Sequence, residues 1–164
     1  MGCDTKRLVG RDSTLEVAIQ CSTENPATTT FEPLGAVTSK NFSIDGTTIE
    51  ANDSLSDSGF TETQLSTSSI SLSVSGNYVR DPTAYPNVTL IGELIKHRFD
   101  SVTVGLSEDP VILVKYARPD VTLTAYMIIV SISVEDPDAE LSTYTMELTN
   151  ASSKDYPPTM IVTV

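Results

Sequence analysis

The chain has 164 residues, a formal net charge of −12, 39% hydrophobic residues and no Trp. That length and composition suit one domain with an aliphatic core and exclude a chain disordered by composition. The acidity opposes tight electrostatic binding of nucleic acid, which depends on Lys and Arg at phosphates. It leaves two readings open: a charge kept for solubility, or a like-charged wall along which DNA moves without sticking.

Residues 1–14 are mixed and charged and read as an arm. Met1–Gln20 lacks the continuous apolar stretch of a signal peptide, and no apolar run reaches the ~20 residues of a membrane helix. Lys6 stands where a myristoylation pattern wants Ser or Thr. Cys3 and Cys21 belong to no CxxC pair, and two isolated thiols point to a reduced origin rather than a disulfide framework. Ser and Thr make up roughly a quarter of the chain, above ordinary usage, and many alternate with apolar residues. That pattern suits strands with one wet face.

In chain order, Leu15, Val17, Ile19 and Cys21 share one face of a predicted strand over 15–21. Residues 22–33, with Pro26 and Pro33, read as a loop, and 34–44 as a strand with Phe42 and Ile44 on one face. Asp45-Gly46 is a turn dipeptide across which 47–51 pairs back. A loop over 52–59 follows, and strand character resumes at 60–64. Ile70, Leu72 and Val74 then alternate with Ser69, Ser71, Ser73 and Ser75. Pro82 and Pro86 break the pattern. A helix is predicted over 87–99, capped by Asn87. Leu90, Ile91, Leu94, Ile95 and Phe99 form its apolar stripe, and Lys96, His97 and Arg98 its last turn.

Four more strands are predicted, at 101–106, 111–117, 121–134 and 139–149. In the long third one, Val121, Leu123, Ala125 and Met127 form one apolar set, while Ile128, Val130, Ile132 and Val134 form the opposite one. Such a phase change needs a bulge, a bend or burial on both faces. A strand that begins in one sheet and ends in another context would show it. In the last strand Tyr144, Met146 and Leu148 share a face. Pro157-Pro158 stops structure, and the apolar tail at 160–164 is expected to be tied down. The order predicts a mainly β chain: a two-sheet β-sandwich or partial barrel with one flanking α-helix. The divisions are an N-terminal arm (1–14), a domain (15–149) and a C-terminal arm (150–164).

Catalytic chemistry is poorly supplied. His97 is the only histidine, and no GxSxG elbow or Cys–His pattern is present. Cys and His are too few for a zinc set. Asp53, Asp57 and Glu62 match no EF-hand spacing, and no phosphate-binding glycine motif occurs. No enzyme activity, metal or cofactor is expected. One charge feature stands out. No Lys or Arg lies between Lys40 and Arg80, yet Asp45, Glu50, Asp53, Asp57 and Glu62 all do. The stretch is either a solvated acidic loop or a surface that repels polyanions.

The run Leu34-Gly35-Ala36-Val37-Thr38-Ser39-Lys40-Asn41-Phe42-Ser43-Ile44 leads through this acidic stretch to Ser68-Ser69-Ile70-Ser71-Leu72-Ser73-Val74-Ser75-Gly76. It resembles the major tail proteins of long, non-contractile-tailed phages, the tail tube proteins. In these a G-x-V-x-x-x-x-F-S-I strand, a long loop and an S-I-S-x-S-x-S-G strand precede a helix. The shared order of elements covers about residues 15–149, and it carries more weight than any single motif. The resemblance implies stacked hexameric rings whose inner sheets join into one barrel, in the tail of a virion. Double-stranded DNA would pass through an acidic lumen during genome ejection without specific binding. It also implies tape measure, tail terminator and tail tip proteins as partners. Asp45, Glu50, Asp53, Asp57 and Glu62 become candidates for lumen or inter-ring contact, with 45–64 reaching the neighbouring ring. A tail terminator, decoration or adhesion protein built on a β-sandwich is the alternative; the Cys–Trp–Cys core of an immunoglobulin domain is missing.

Overall fold

Alternation of apolar and hydroxyl-bearing residues carries most of the chain into strands. A computed structural model describes residues 13–21, 23–34, 37–51, 62–78, 88–103, 110–138, 140–151 and 155–162. Strands β1 (Thr14–Ala18), β2 (Glu32–Pro33), β3 (Val37–Ala51) and β4 (Glu62–Asn77) precede helix α1 (Val88–Thr103). Strands β5 (Val111–Ala117), β6 (Val121–Glu135), β7 (Thr143–Asn150) and β8 (Thr159–Val162) follow it. The strands pair antiparallel in the order β2-β1-β5-β6-β7-β4-β3, and β8 also pairs with β6. The chain is mainly β with one helix, as the sequence pattern requires.

Strand β6 explains its own change of phase. Its first half pairs with β5 over Thr122–Ile128 and with β8 over Val121–Thr124, and its second half pairs with β7. The register with β7 slips between Ile129 and Ser131, which leaves Val130 as a bulge. Before the bulge Leu123, Ala125, Met127 and Ile129 are buried in the main core; after it Ile132 and Val134 pack on that same core. The extra residue turns the even-numbered set inward where the odd-numbered set had been. Tyr126 and Ile128 face a second cluster with Ala18, Val111, Leu113 and Ala151, so the first half of β6 is buried on both faces.

The strand thus passes from one layer (β1, β5, β8) to another (β7, β4, β3). Those layers face each other. Phe42 on β3 and Tyr116 on β5, far apart in strand order, bring their ring centroids to 6.0 Å. Lys40 Nζ on β3 donates to the Ser13 carbonyl at 2.5 Å, and burial holds its pKa below the ordinary lysine value. The fold is one continuous sheet turned over at β6, the partial-barrel form. Burial pushes the Tyr144 phenol on β7 up to about 12.

Helix α1 closes the core with Leu90, Ile91 and Leu94, all buried. It runs to Thr103, so Lys96, His97 and Arg98 do not occupy its last turn, and the strand expected at 101–106 is helical over 101–103. Val102 continues the spacing of Ile95 and Phe99, and that period-3.6 pattern prevails over the short alternation Val102, Val104. Positions 104–106 and the expected cap Asn87 lie outside the described residues. His97 Nε2 lies 3.0 Å from the Val111 carbonyl and ties the helix to the start of β5.

Three further expectations are corrected. Asp45-Gly46 is no turn: Gly46 pairs with Ser68 inside a ladder that runs from Val37↔Gly76 to Ala51↔Glu62. A long ladder of backbone hydrogen bonds outweighs the local preference of one dipeptide. The first strand ends at Ala18, leaving Ile19 39% exposed and the Cys21 thiol free at the surface. Gln20 instead donates to the Tyr126 hydroxyl at 2.6 Å. The strand expected from 139 begins at Thr143.

Leu148, buried between Leu72 on β4 and Ile129 on β6, tests how well this core is filled. Leu148→Ala is expected to lower the unfolding free energy in urea by about 2–5 kcal/mol, the range for buried leucine truncations. Ser133→Ala, on the wet face of β6, should change it by no more than about 0.5 kcal/mol.

Candidate functional site

The layer β3-β4-β7-β6 has a core face and a wet face, and period two sorts its residues between them. Cross-strand rows on the wet face read Ser43–Ser71–Thr149, Asn41–Ser73–Glu147–Ser131 and Ser39–Ser75–Thr145–Ser133. Asn77–Thr143–Glu135 extends them at one end and Asp45–Ser69 at the other. Ser43 Oγ lies 2.6 Å from Ser71 Oγ and donates to Asp45 Oδ2 at 3.0 Å. Ser133 and Thr145 hydroxyls meet at 2.6 Å, and Ser131 donates to Glu147 Oε2 at 3.3 Å. Farther along, Thr47 and Thr67 hydroxyls bond across β3 and β4.

The surface is a sheet of hydroxyls punctuated by carboxylates. Among the described residues no Lys or Arg lies on it. Lys40 points to the core side, Lys96 and Arg98 sit on α1, and Lys115 and Arg118 lie on or after β5. Lys115 pairs with Glu16 at 3.0 Å and Arg118 with Asp120 at 3.1 Å, both in the other layer. Such a face offers hydroxyls and negative charge to water and, among the described residues, no cation to neutralise a phosphate. Among the described residues no group of His, Cys, Asp and Glu is arranged to hold a metal ion.

Of the sequence candidates, Asp45 stands exposed on this face. Glu50 and Glu62 lie on the paired ends of β3 and β4, where only their backbone is described. Asp53 and Asp57 lie outside the described residues. The structure does not bring the five together as one described cluster. Sequence reasoning missed Glu147 and Glu135, which share the wet face. The signal was available: if Tyr144, Met146 and Leu148 face the core, Thr145, Glu147 and Thr149 must face away.

Among the described residues the same layer has two open edges. Among the described residues β3 has no neighbour beyond β4. Residues 131–135 of β6 pair with β7 on one side, and β5 ends its pairing at Ile128. Four antiparallel strands leave these two edges running in opposite directions. An edge of β3 laid on the free edge of another copy's β6 therefore continues the antiparallel pattern without interruption.

No family model matches the chain, and no curated protein matches it. Solved structures do. The chain is similar to a chain of the virion of a native gene transfer agent particle, with a TM-score of 0.63 at 16% identity, covering 96% of this chain and 100% of that one. It is similar to a chain of the SPP1 tail tube, with a TM-score of 0.58 at 13% identity, covering 96% and 81%. The fold is that of tail tube proteins. A chain of the anti-feeding prophage baseplate also matches, with a TM-score of 0.54 at 9% identity, covering 96% and 97%. The tail tube fold here keeps its order of strands and helix at identities where few side chains are shared. The wet face and the open edges must therefore be read from this chain's own residues.

Proposed function

We infer that the chain is the structural subunit of a phage-type tail tube, located in the virion tail. The observation that carries this reading is the four-stranded layer with two antiparallel open edges and a cation-free wet face, set in a tail tube fold. Long unpaired edges are hazards for a monomer. Head-to-tail closure around a rotation axis removes both at once and turns one face of every layer inward. The gene transfer agent tail was solved with C6 symmetry, which favours six copies here.

Four strands from each of six copies, at about 4.8 Å spacing and roughly 40° tilt, close into a barrel about 48 Å between opposing backbones. That leaves room for a DNA duplex inside the side chains. With the wet face inward, the wall presents Ser and Thr hydroxyls and the carboxylates of Asp45, Glu135 and Glu147. DNA then meets bound water and like charge, and slides during ejection. Stacked rings make the tube, and a tape measure, tail terminator and tail tip protein would set its length and close its ends. Asn150, Ala151 and Thr159–Val162 of the expected C-terminal arm belong to the chain's own sheet and core, and Thr14 to β1, so a brace on neighbouring copies would fall to residues 1–12.

Negative-stain microscopy of the purified protein over a concentration series tests the reading. Rings and stacked tubes with six-fold end views are expected. A protein that stays monomeric at every concentration would overturn it, and single rings that never stack would favour a tail terminator.

A further inference from the structure

Joining two sheet edges into a ring does not by itself say which residues meet, but the backbone of each edge narrows the choice. In an antiparallel ladder the N–H and C=O of one residue point to the same side, and successive residues alternate sides. The Ile70 N–H on β4 goes to the Asn150 side chain, away from β3. Its partner Ile44 therefore points its own backbone groups away from β4, out of the open edge, and by period two so do Phe42 and Lys40. On β6 the Ile129 N–H goes to the Pro110 carbonyl, away from β7. Followed through Leu148 and Met146 on β7, the same alternation makes Ile132 and Val134 present their backbone groups at the other open edge. Phe42, Ile132 and Val134 pack on the main core, and Lys40 and Ile44 share the face of Phe42. The two edges are thus in phase: bonding them sets core face beside core face and wet face beside wet face.

Three registers keep this phase, with Val134 opposite Lys40, Phe42 or Ile44 of the next copy. The first sets Val134 against a lysine whose Nζ is held by the Ser13 carbonyl. The third sets Ile132 against Gly46, which has no side chain to meet it. The second sets Ile132 against Ile44 and Val134 against Phe42. Ile44 is 55% exposed in the single copy and the other three are half-buried, so this register covers four apolar side chains at once. Tilt decides the same way. Within one copy Asn41 and Ser131 lie in one cross-strand row, whereas across the joint the second register sets Ser131 against Asp45. That stagger is four residues, about 13 Å, for every four strands, about 19 Å, which gives a tilt of about 35°. The first and third registers stagger by two and six residues and give about 19° and about 46°, outside the barrel range of roughly 35–45°. We propose that the ring closes in the register Ile132↔Ile44 and Val134↔Phe42, and that these four side chains fix where along the edge the next copy sits. This register rests on the tube reading and adds to it the residues that meet.

Disulfide trapping reads the register, in a Cys3→Ser, Cys21→Ser background. Ser133→Cys is combined in one chain with Asn41→Cys, Ser43→Cys or Asp45→Cys, its wet-face partners in the first, second and third registers. The Cα atoms of such a non-hydrogen-bonded pair lie about 4.5 Å apart, within disulfide reach. Inside one copy three strand spacings, about 14 Å, keep the same residues from meeting. Oxidised at assembling concentration, the Ser43→Cys, Ser133→Cys protein should run on a denaturing gel mainly as a ladder of covalent oligomers, and the other two pairs mainly as monomer. Ile44→Asp, exposed in the single copy, should keep the wild-type melting temperature and form no rings. Tubes that cross-link mainly through Asn41→Cys or Asp45→Cys, that cross-link through none of the three, or that survive Ile44→Asp unchanged overturn the register and leave the tube reading standing. A parent protein that forms neither rings nor tubes overturns both.

Discussion

Deletion of Val130 is expected to give a folded chain with β6 and β7 paired as they are, whereas insertion of one residue between Ile132 and Ser133 should destabilise it strongly. Val130 is the residue that β7 does not pair with, and its side chain is 49% exposed, so its own burial contributes little. Ile129 faces the core and Ser131 faces away, so joining them directly restores the alternation of a regular strand and keeps Ile132 and Val134 inward. An insertion beyond the bulge does the opposite and turns Ser133 toward the core and Val134 out. Burying a hydroxyl without a partner costs about 1–3 kcal/mol, and exposing a large aliphatic side chain costs about 1.5–3 kcal/mol. Discounted for the partial burial of these positions, the two changes total roughly 2–4 kcal/mol, a large share of the stability of a small domain. Far-UV circular dichroism and a urea titration read both variants directly. A deletion variant that fails to fold would show that the bulge does more than absorb one extra residue.

That bulge is also the clearest case of structure legible in sequence. The opposed sets Leu123, Ala125, Met127 and Ile128, Val130, Ile132, Val134 demanded a device in mid-strand, and three devices fitted. The sequence could not choose among them, because the choice depends on what covers each face. Here Ala18, Leu113 and Ala151 cover the second face of the first half, while the second half has water there, so burial on both faces and a bulge both occur. Local punctuation was less reliable. Asp45-Gly46 has the composition of a turn, yet the preference of a dipeptide is small beside a ladder of paired backbone groups on both sides of it. The helix end was misplaced for a related reason: Val102 satisfies both period two and period 3.6, and only the presence of Ile95 and Phe99 at the right spacing decides between them.

The candidate surface was half legible. Charge alone singled out the stretch between Lys40 and Arg80, and Asp45 does stand on the wet face. Glu147 and Glu135 were hidden because they lie in sequence far from that stretch and join it only through strand order. A lumen is a property of a sheet face, and a face is assembled from strands that the sequence does not place side by side.

Glu147→Lys isolates what that face does. Glu147 is exposed, accepts a hydrogen bond from Ser131 at 3.3 Å on the same wet face, and lies on no open edge, so folding and ring closure should be preserved. In a six-copy ring the substitution places six lysines around the lumen, and stacking repeats that girdle along the tube. Each phosphate neutralised adds roughly 0.9 to the slope of log affinity against log salt, so a duplex engaging one girdle gains a slope of about 5 and loses about 10³ in affinity between 50 and 200 mM salt. Assembled Glu147→Lys tubes are therefore expected to capture linear duplex DNA at low salt and release it at high salt, while wild-type tubes exclude it at both. Glu147→Gln, which removes the negative charge without adding a positive one, should leave DNA unbound. In particles the lysine variant should assemble full-length tails and eject DNA slowly or incompletely, because a wall that grips each passing phosphate replaces one that only repels. Capture of DNA by the outer surface alone, seen as equal binding to tubes and to unassembled protein, would show that Glu147 does not face the lumen.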